Sequence, residues 1–292
     1  MNAQFRSRDD FAAPIAANYA VAGLAGRLLL DCGNTRLKWC WQIVDSRAAV
    51  RQEWRGVRTH GEAQWLQGWA EELRACQQCT REQFGATAVM AALGCLVASA
   101  DCQAEIEAVL ADVGLATTWL RASPCAGGVV NGYQQAERLG PDRWAALIGA
   151  YATYPQQACL VVTAGTATTV DVLSADGVFH GGLILPGWRL MLESLQRGTA
   201  RLPLSDGQFA AFPQGTLDAI ATGCIDAQCG AIERMYQRLC QAGQAEQRPV
   251  CVLNGGNADV LGQHLTMAWE LADNLVLKGL AALLVPDNKD AE

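Results

Sequence analysis

The sequence predicts an α/β chain of two similar lobes, and three observations carry that expectation. Hydrophobic strands alternate with helical segments, with no short-period repeat. Two segments, LLLDCGNTRLKWCWQ from Leu28 and LVVTAGTATTVDVLS from Leu160, share one plan: an apolar strand, a tight glycine turn flanked by hydroxyl side chains, and a second strand. Their turn glycines, Gly33 and Gly165, stand a domain's length apart, and 292 residues with 51% hydrophobic content supply enough apolar material for two cores.

Taken in order, residues 1–26 read as a disordered N-terminal extension. Asp9 and Asp10 break its cationic start, Pro14 and Asn18 interrupt its apolar part, and it lacks the roughly 18 apolar residues of a membrane helix. Residues 27–150 form the first lobe, 151–286 the second, and 287–292 a tail. Within the first lobe, residues 61–78 have helical spacing, 87–95 (TAVMAALGC) read as a strand, and Asp101 to Val113 as a helix. Gly140-Pro141-Asp142-Arg143 opens a helix that buries Trp144, Leu147, Ile148 and Tyr151, with proline and an acid in the first turn as helix starts favour. After Pro186-Gly187 a further helix is expected, with Leu190, Met191 and Leu195 along its apolar side. Val250 to Leu261 is a strand running into a Gly-Gly turn, where an adenosine can rest on bare backbone.

A formal net charge of −7 and a pI near 5.1, without any basic run, argue against a nucleic-acid surface. The 12 cysteines are spread over a long chain with no export signal, which points to reduced thiols in the cytoplasm. Cys76-Gln-Gln-Cys79 has no second pair at zinc-ribbon spacing and reads as a helix-surface pair rather than a metal site.

The chemistry is expected in the turns. A tight turn can line an anion site with backbone N–H groups, while Thr35 and Lys38 add a hydroxyl and a charge. Asp31 can hold a magnesium ion against phosphates, since hard cations take oxygen ligands; alternatively, Asp31 and Asn34 supply only turn chemistry. The repetition of the plan at Gly165 favours phosphate binding, with one hairpin on each side of a nucleotide. Asp142 needs no role beyond starting its helix, yet Asp142 and Arg143 can also offer a base for a substrate hydroxyl and a planar cation for its carboxylate.

These motifs together resemble the type III pantothenate kinases, also called the Bvg accessory factor family, over about Leu28 to Pro286. The pattern DxGNTxxK is matched by Asp31, Gly33, Asn34, Thr35 and Lys38. Tyr followed by LGxDR is matched by Tyr133, Leu139, Gly140, Asp142 and Arg143. GTAxTxD is matched by Gly165, Thr166, Ala167, Thr169 and Asp171. The GGxIxPG, TAxLP and late Gly-Gly elements follow at Gly181 to Gly187, Thr199 to Pro203 and Val250 to Gly256.

The resemblance implies an actin-like fold of two ribonuclease-H-like lobes with a nucleotide cleft, a homodimer, and ATP-dependent phosphorylation of pantothenate to 4'-phosphopantothenate at the start of coenzyme A synthesis. It places Asp31, Gly33, Asn34, Thr35 and Lys38 on the ATP phosphates with Mg2+, and Thr166 on them from the second hairpin. It places pantothenate on Tyr133, Gly140, Pro141, Asp142 and Arg143, with Asp142 as general base, and brings Thr216 to pantothenate across the dimer interface. Two departures stand out. Gly215 replaces the usual Asn before Thr216, and Thr163 replaces an Asp that ligates a monovalent cation, K+ or NH4+. The alternatives are another actin-like small-molecule kinase and a nucleotide-binding regulatory protein without turnover.

Overall fold

The computed structural model describes residues 6–11, 19–62, 64–198, 207–242 and 248–285. The Thr199 to Pro203 element and the 287–292 tail lie outside the described residues. The elements begin with β1 (Leu24–Cys32), β2 (Arg36–Val44), β3 (Val50–Thr59), α1 (Trp69–Phe84), β4 (Val89–Leu96), α2 (Ala100–Asp112) and β5 (Thr117–Trp119). β6 (Cys125–Ala126), β7 (Val129–Asn131) and α3 (Pro141–Thr153) follow, then β8 (Cys159–Ala164), β9 (Ala167–Leu173), β10 (Val178–Pro186) and α4 (Trp188–Gly198). The last are α5 (Thr216–Ala242), β11 (Val250–Asn254), α6 (Ala258–Gly262), β12 (Glu270–Leu271) and α7 (Leu275–Leu283).

One sheet has the order β3-β2-β1-β4-β5; the other contains the run β10-β9-β8-β11-β12, the same order built again, with β7 beyond β10. The strand senses repeat as well. β1 is antiparallel to β2 and parallel to β4, and β8 is antiparallel to β9 and parallel to β11. Two such ribonuclease-H-like sheets in one chain make the predicted actin-like α/β fold. β1 and β8 are central strands covered on both faces, which is why each reads as a nearly unbroken apolar run: Leu28, Leu29, Leu30 and Cys32 are fully buried, as are Leu160, Val162 and Ala164. β3, at a sheet edge, is mostly exposed and carries Arg51, Glu53, Arg55 and Arg58, charges that discourage edge-to-edge pairing.

The described residues fall into two compact units. One contains 19–128, 135–152 and 276–285, and the other 6–11, 129–134 and 153–275. β1 starts at Leu24, inside the stretch assigned to the extension. Arg8, in a short 3-10 helix at Arg8–Asp10, is held by Asp176 through its backbone N–H (3.0 Å to Oδ2) and its guanidinium (3.0 Å to the carbonyl).

Three local expectations are corrected. The helix expected over 61–78 runs instead from Trp69 to Phe84, because Gly68 sits in the left-handed region (φ +75°) and interrupts the periodicity ahead of it. Cys76 and Cys79 are not a surface pair: Cys76 is buried in the core beside Trp69 and Leu73, and Cys79 packs against it. On α4 the buried residue is Leu192, which meets Ile220 and Cys224 of α5, whereas Leu195 is exposed.

Candidate active site

The β1–β2 hairpin is closed by a hydrogen bond from Gly33 N–H to the Arg36 carbonyl (3.0 Å), leaving Asn34 and Thr35 exposed at its tip. His60, at the end of β3, braces that tip: its backbone N–H donates to the Thr35 carbonyl (2.9 Å), and its Nδ1 lies 3.2 Å from the Asn34 carbonyl. Gly33 has ordinary φ, and a Cβ there would meet only the Arg36 carbonyl at 3.5 Å. The chain's own packing therefore does not require glycine at this position. Bare backbone facing open space is what a closely approaching phosphate needs.

Asp31 lies at the end of β1, paired in register with Lys38 on β2 and Cys95 on β4. The Lys38 ammonium is 3.7 Å from Oδ2, and the Cys95 thiol donates to Oδ1 at 3.5 Å. Burial pushes the Asp31 carboxyl above the usual carboxylate range; Lys38 and Cys95 oppose that shift, and the nearby charge of Asp142 adds to it. Asp31 is thus a largely buried carboxylate with incomplete charge compensation, the environment a divalent cation would relieve.

Asp142 occupies the first turn of α3, in the same compact unit. Its Oδ1 accepts from the Arg143 N–H (2.8 Å), and the helix begins with the Trp144 N–H bonded to the Gly140 carbonyl (2.9 Å). A side chain at Gly140 would come within 2.7 Å of Asp142 Oδ1, so the glycine leaves this carboxylate its place. Pro141 and Asp142 are half-buried, while Arg143 is buried.

The remaining predicted residues belong to the other unit. In the β8–β9 hairpin Gly165 N–H donates to the Ala167 carbonyl (3.0 Å), and Thr166 is exposed. Gly165, like Gly33, has room for a Cβ, whose nearest neighbour would be the Ala167 carbonyl at 3.6 Å. The turn is supported from beneath: a Cβ on Gly187 would lie 2.4 Å from the Gly165 carbonyl, and one on Gly255 2.4 Å from the Ala164 carbonyl. Thr163 Oγ1 accepts from Asn254 Nδ2 at 2.8 Å. Tyr133 stacks on Phe179 (centroids 5.1 Å apart), with its N–H bonded to Asn131 Oδ1 at 3.1 Å. Thr216 is exposed at the first residue of α5.

The family model for type III pantothenate kinases matches residues 27–238. The chain belongs to the type III pantothenate kinase family. It is 43% identical over 260 residues to a type III pantothenate kinase of Aromatoleum aromaticum, covering 89% of this chain and 98% of the relative. A type III pantothenate kinase of an Azoarcus species is 42% identical over 264 residues, covering 90% and 92%. Among solved structures, a Baf family transcriptional activator from Campylobacter jejuni shares the fold, with a TM-score of 0.50 and 20% identity over 88% of this chain and 96% of that one.

Set beside this type III pantothenate kinase frame, two contributors escaped the sequence reading. Cys95 reaches Asp31 only because β4 lies parallel to β1, and His60 reaches the turn only because β3 closes the sheet edge. Neither has a local sequence signature.

Proposed function

We propose that the chain phosphorylates the primary hydroxyl of pantothenate with MgATP, yielding 4'-phosphopantothenate. The observation that carries this reading is Asp142 at the start of α3, within electrostatic reach of Asp31 at a phosphate-type turn of the same unit. Asp142 accepts the hydroxyl proton as the oxygen attacks the γ-phosphorus in line. Asp31, with a buried and undercompensated charge, holds the magnesium ion that neutralises the phosphates. The N–H groups of Asn34 and Thr35 at the tip, together with Lys38, orient them, and the bare backbone of Gly33 leaves room for their approach. Thr166 of the second hairpin serves the same phosphates, and the open backbone at Gly256 is the seat for adenosine. Positioning and charge neutralisation supply most of the rate in such transfers.

Tyr133, Gly140, Pro141 and Arg143 bind pantothenate, with the buried Arg143 guanidinium assigned to its carboxylate. Thr216 is assigned to pantothenate of the second chain in a homodimer. Thr163 occupies the monovalent-cation position with a neutral oxygen.

The test is a coupled ADP-release assay run with and without pantothenate. ADP formation should depend on pantothenate and saturate with it; release indifferent to pantothenate would remove the substrate assignment. Pantothenate binding that survives Arg143→Ala unchanged would remove the carboxylate clamp.

A further inference from the structure

Side chains alternate along a strand, so Asp31 and Cys32 leave β1 on opposite faces. Asp31 faces Lys38 and Cys95. Cys32 is fully buried on the other face, in the core that includes Leu28, Leu30 and Ile106 of α2. There it meets two residues that the proposed reaction does not use in chemistry. Cys102, in the first turn of α2, has its sulfur 3.7 Å from Cys32 Sγ, and His60 Nε2 lies 3.5 Å from Cys102 Sγ. All three ligand-type atoms lie within 4.8 Å of one another.

We propose that Cys32, His60 and Cys102 form a binding site for a thiophilic divalent metal ion, zinc above others, with the fourth position open on the side of the half-buried His60 and Cys102. The distances carry this. Zn–S bonds of about 2.3 Å and Zn–N bonds of about 2.0–2.1 Å, set at the tetrahedral angle, separate two sulfurs by about 3.8 Å and a sulfur from a nitrogen by about 3.5 Å. The spacings of 3.7 Å and 3.5 Å match two edges of that tetrahedron, and the third, from Cys32 Sγ to the imidazole, lies within 4.8 Å.

The tautomer of the histidine also suits a ligand. Its Nδ1 lies 3.2 Å from the Asn34 carbonyl, which can only accept, so the proton belongs on Nδ1 and the lone pair on Nε2; Cys102 Sγ lies 3.5 Å from Nε2 and 3.9 Å from Nδ1, so the ring turns on binding to aim that lone pair at the shared ion. A ligating histidine characteristically donates its other N–H to a carbonyl or carboxylate in this way. Trp65 flanks the ring, edge-on with centroids 4.6 Å apart, and is itself anchored by its Nε1 donating to Glu105 Oε2 at 2.7 Å. Cys102 is set by its backbone N–H donating to Ser99 Oγ at 3.3 Å, the N-cap of α2.

Binding displaces one proton from each thiol, leaving two thiolates and a neutral imidazole around the ion. The acceptor of the His60 proton belongs to the exposed hairpin tip, so the ion would also stiffen that tip. This consequence, unlike the site itself, rests on the phosphate-binding reading.

The test adds cobalt(II) to the reduced, metal-free full-length chain and follows the thiolate-to-cobalt charge-transfer absorption. One ion per chain should bind with tetrahedral visible bands, zinc should displace it, and Cys102→Ala and His60→Gln should each weaken binding at least about tenfold. Cys32→Ala is set aside because its buried position endangers the core. Cys240→Ala, at an exposed position in the other unit, should leave the spectrum unchanged. Absence of the charge-transfer band, or a band indifferent to Cys102→Ala, overturns the proposal. None of these readouts requires kinase turnover, so failure here is distinguishable from failure of the proposed function.

Discussion

The two hairpins use the same register for different chemistry. Two residues before each turn glycine stands the last polar residue of the leading strand, Asp31 in one and Thr163 in the other. Across the strands, Asp31 is flanked by Cys95 and Lys38, whereas Thr163 is flanked by Asn254 and Thr169. One row is charged; the other is neutral throughout. The backbone plan is therefore duplicated while the charge at this register is not: one row brings a carboxylate and an ammonium, the other hydroxyls and an amide, with the carboxylate of Asp171 buried two residues further along β9. In a partly buried site a single charged row can be matched to one metal–phosphate ligand, whereas a second acidic row would raise the cost of desolvation.

If the charged row and its neighbour Asp142 perform the chemistry, the largest effect should come from Asp142→Asn. It should lower kcat by about 100- to 10,000-fold, the usual loss for a general base, with the thermal midpoint nearly unchanged. Near-normal turnover in that variant would break the comparison at its centre.

Asp31→Asn should follow, raising the KM for MgATP by about ten- to a hundredfold, the range of one lost charge-assisted interaction, without touching pantothenate binding measured alone. The same variant sharpens the electrostatic argument through pH. Burial raises the folded-state carboxyl of Asp31 above its unfolded value, so the folded chain holds that proton more tightly. The corresponding stability is present at low pH and is lost as pH rises through the raised value. At neutral pH and without nucleotide, Asp31→Asn should therefore melt at or above the parent temperature. The difference should close as pH falls toward about 4, near the ordinary carboxylate value. A neutral-pH melting point well below the parent would show that the carboxylate is structural.

Gly33→Ala and Gly165→Ala test what the hairpins share. Each Cβ has room, so both proteins should fold with stability within about 1 kcal/mol of the parent while MgATP binding weakens. Unchanged nucleotide affinity in both would separate the turns from the phosphates. The smallest effect is expected in the neutral row. Thr163→Asp, beside the amide of Asn254, should lower the K+ or NH4+ concentration needed for activation by a few-fold in a titration at constant ionic strength. Tight activation in the parent, unaltered by this substitution, would place the cation's charge partner elsewhere.

Both hairpins were legible in the sequence because an apolar run, a glycine and hydroxyl residues are local signals, and their recurrence implied the duplicated fold. The start of α1 was not, since the periodicity ahead of Gly68 resembles a helix until the left-handed glycine interrupts it. Leu192 was missed on α4 because only its packing on α5 decides which face is buried. The Cys32, His60 and Cys102 cluster was invisible for a different reason. Cys32 and Cys102 lie 70 residues apart, with His60 42 residues before Cys102, and only the sheet and α2 bring them to one point. The Cys76–Cys79 pair, which has the spacing of a metal motif, turned inward to fill the core.

The unit that carries Asp31 and Asp142 is sewn shut by α7. The Arg27 guanidinium of β1 donates to the Ala281 carbonyl at 2.9 Å, and Gly279 lies so close to α3 that a Cβ would approach the Ala145 carbonyl within 1.9 Å. During synthesis, the partner of Arg27 arrives 254 residues after it. At the ribosome's pace of roughly 5–20 residues per second, that is a wait on the order of ten seconds or more. Because α3 is complete only at Thr153, from that point until α7 emerges the first-made half of the molecule lacks the helix that covers it, and it closes only after most of the second-made half has emerged.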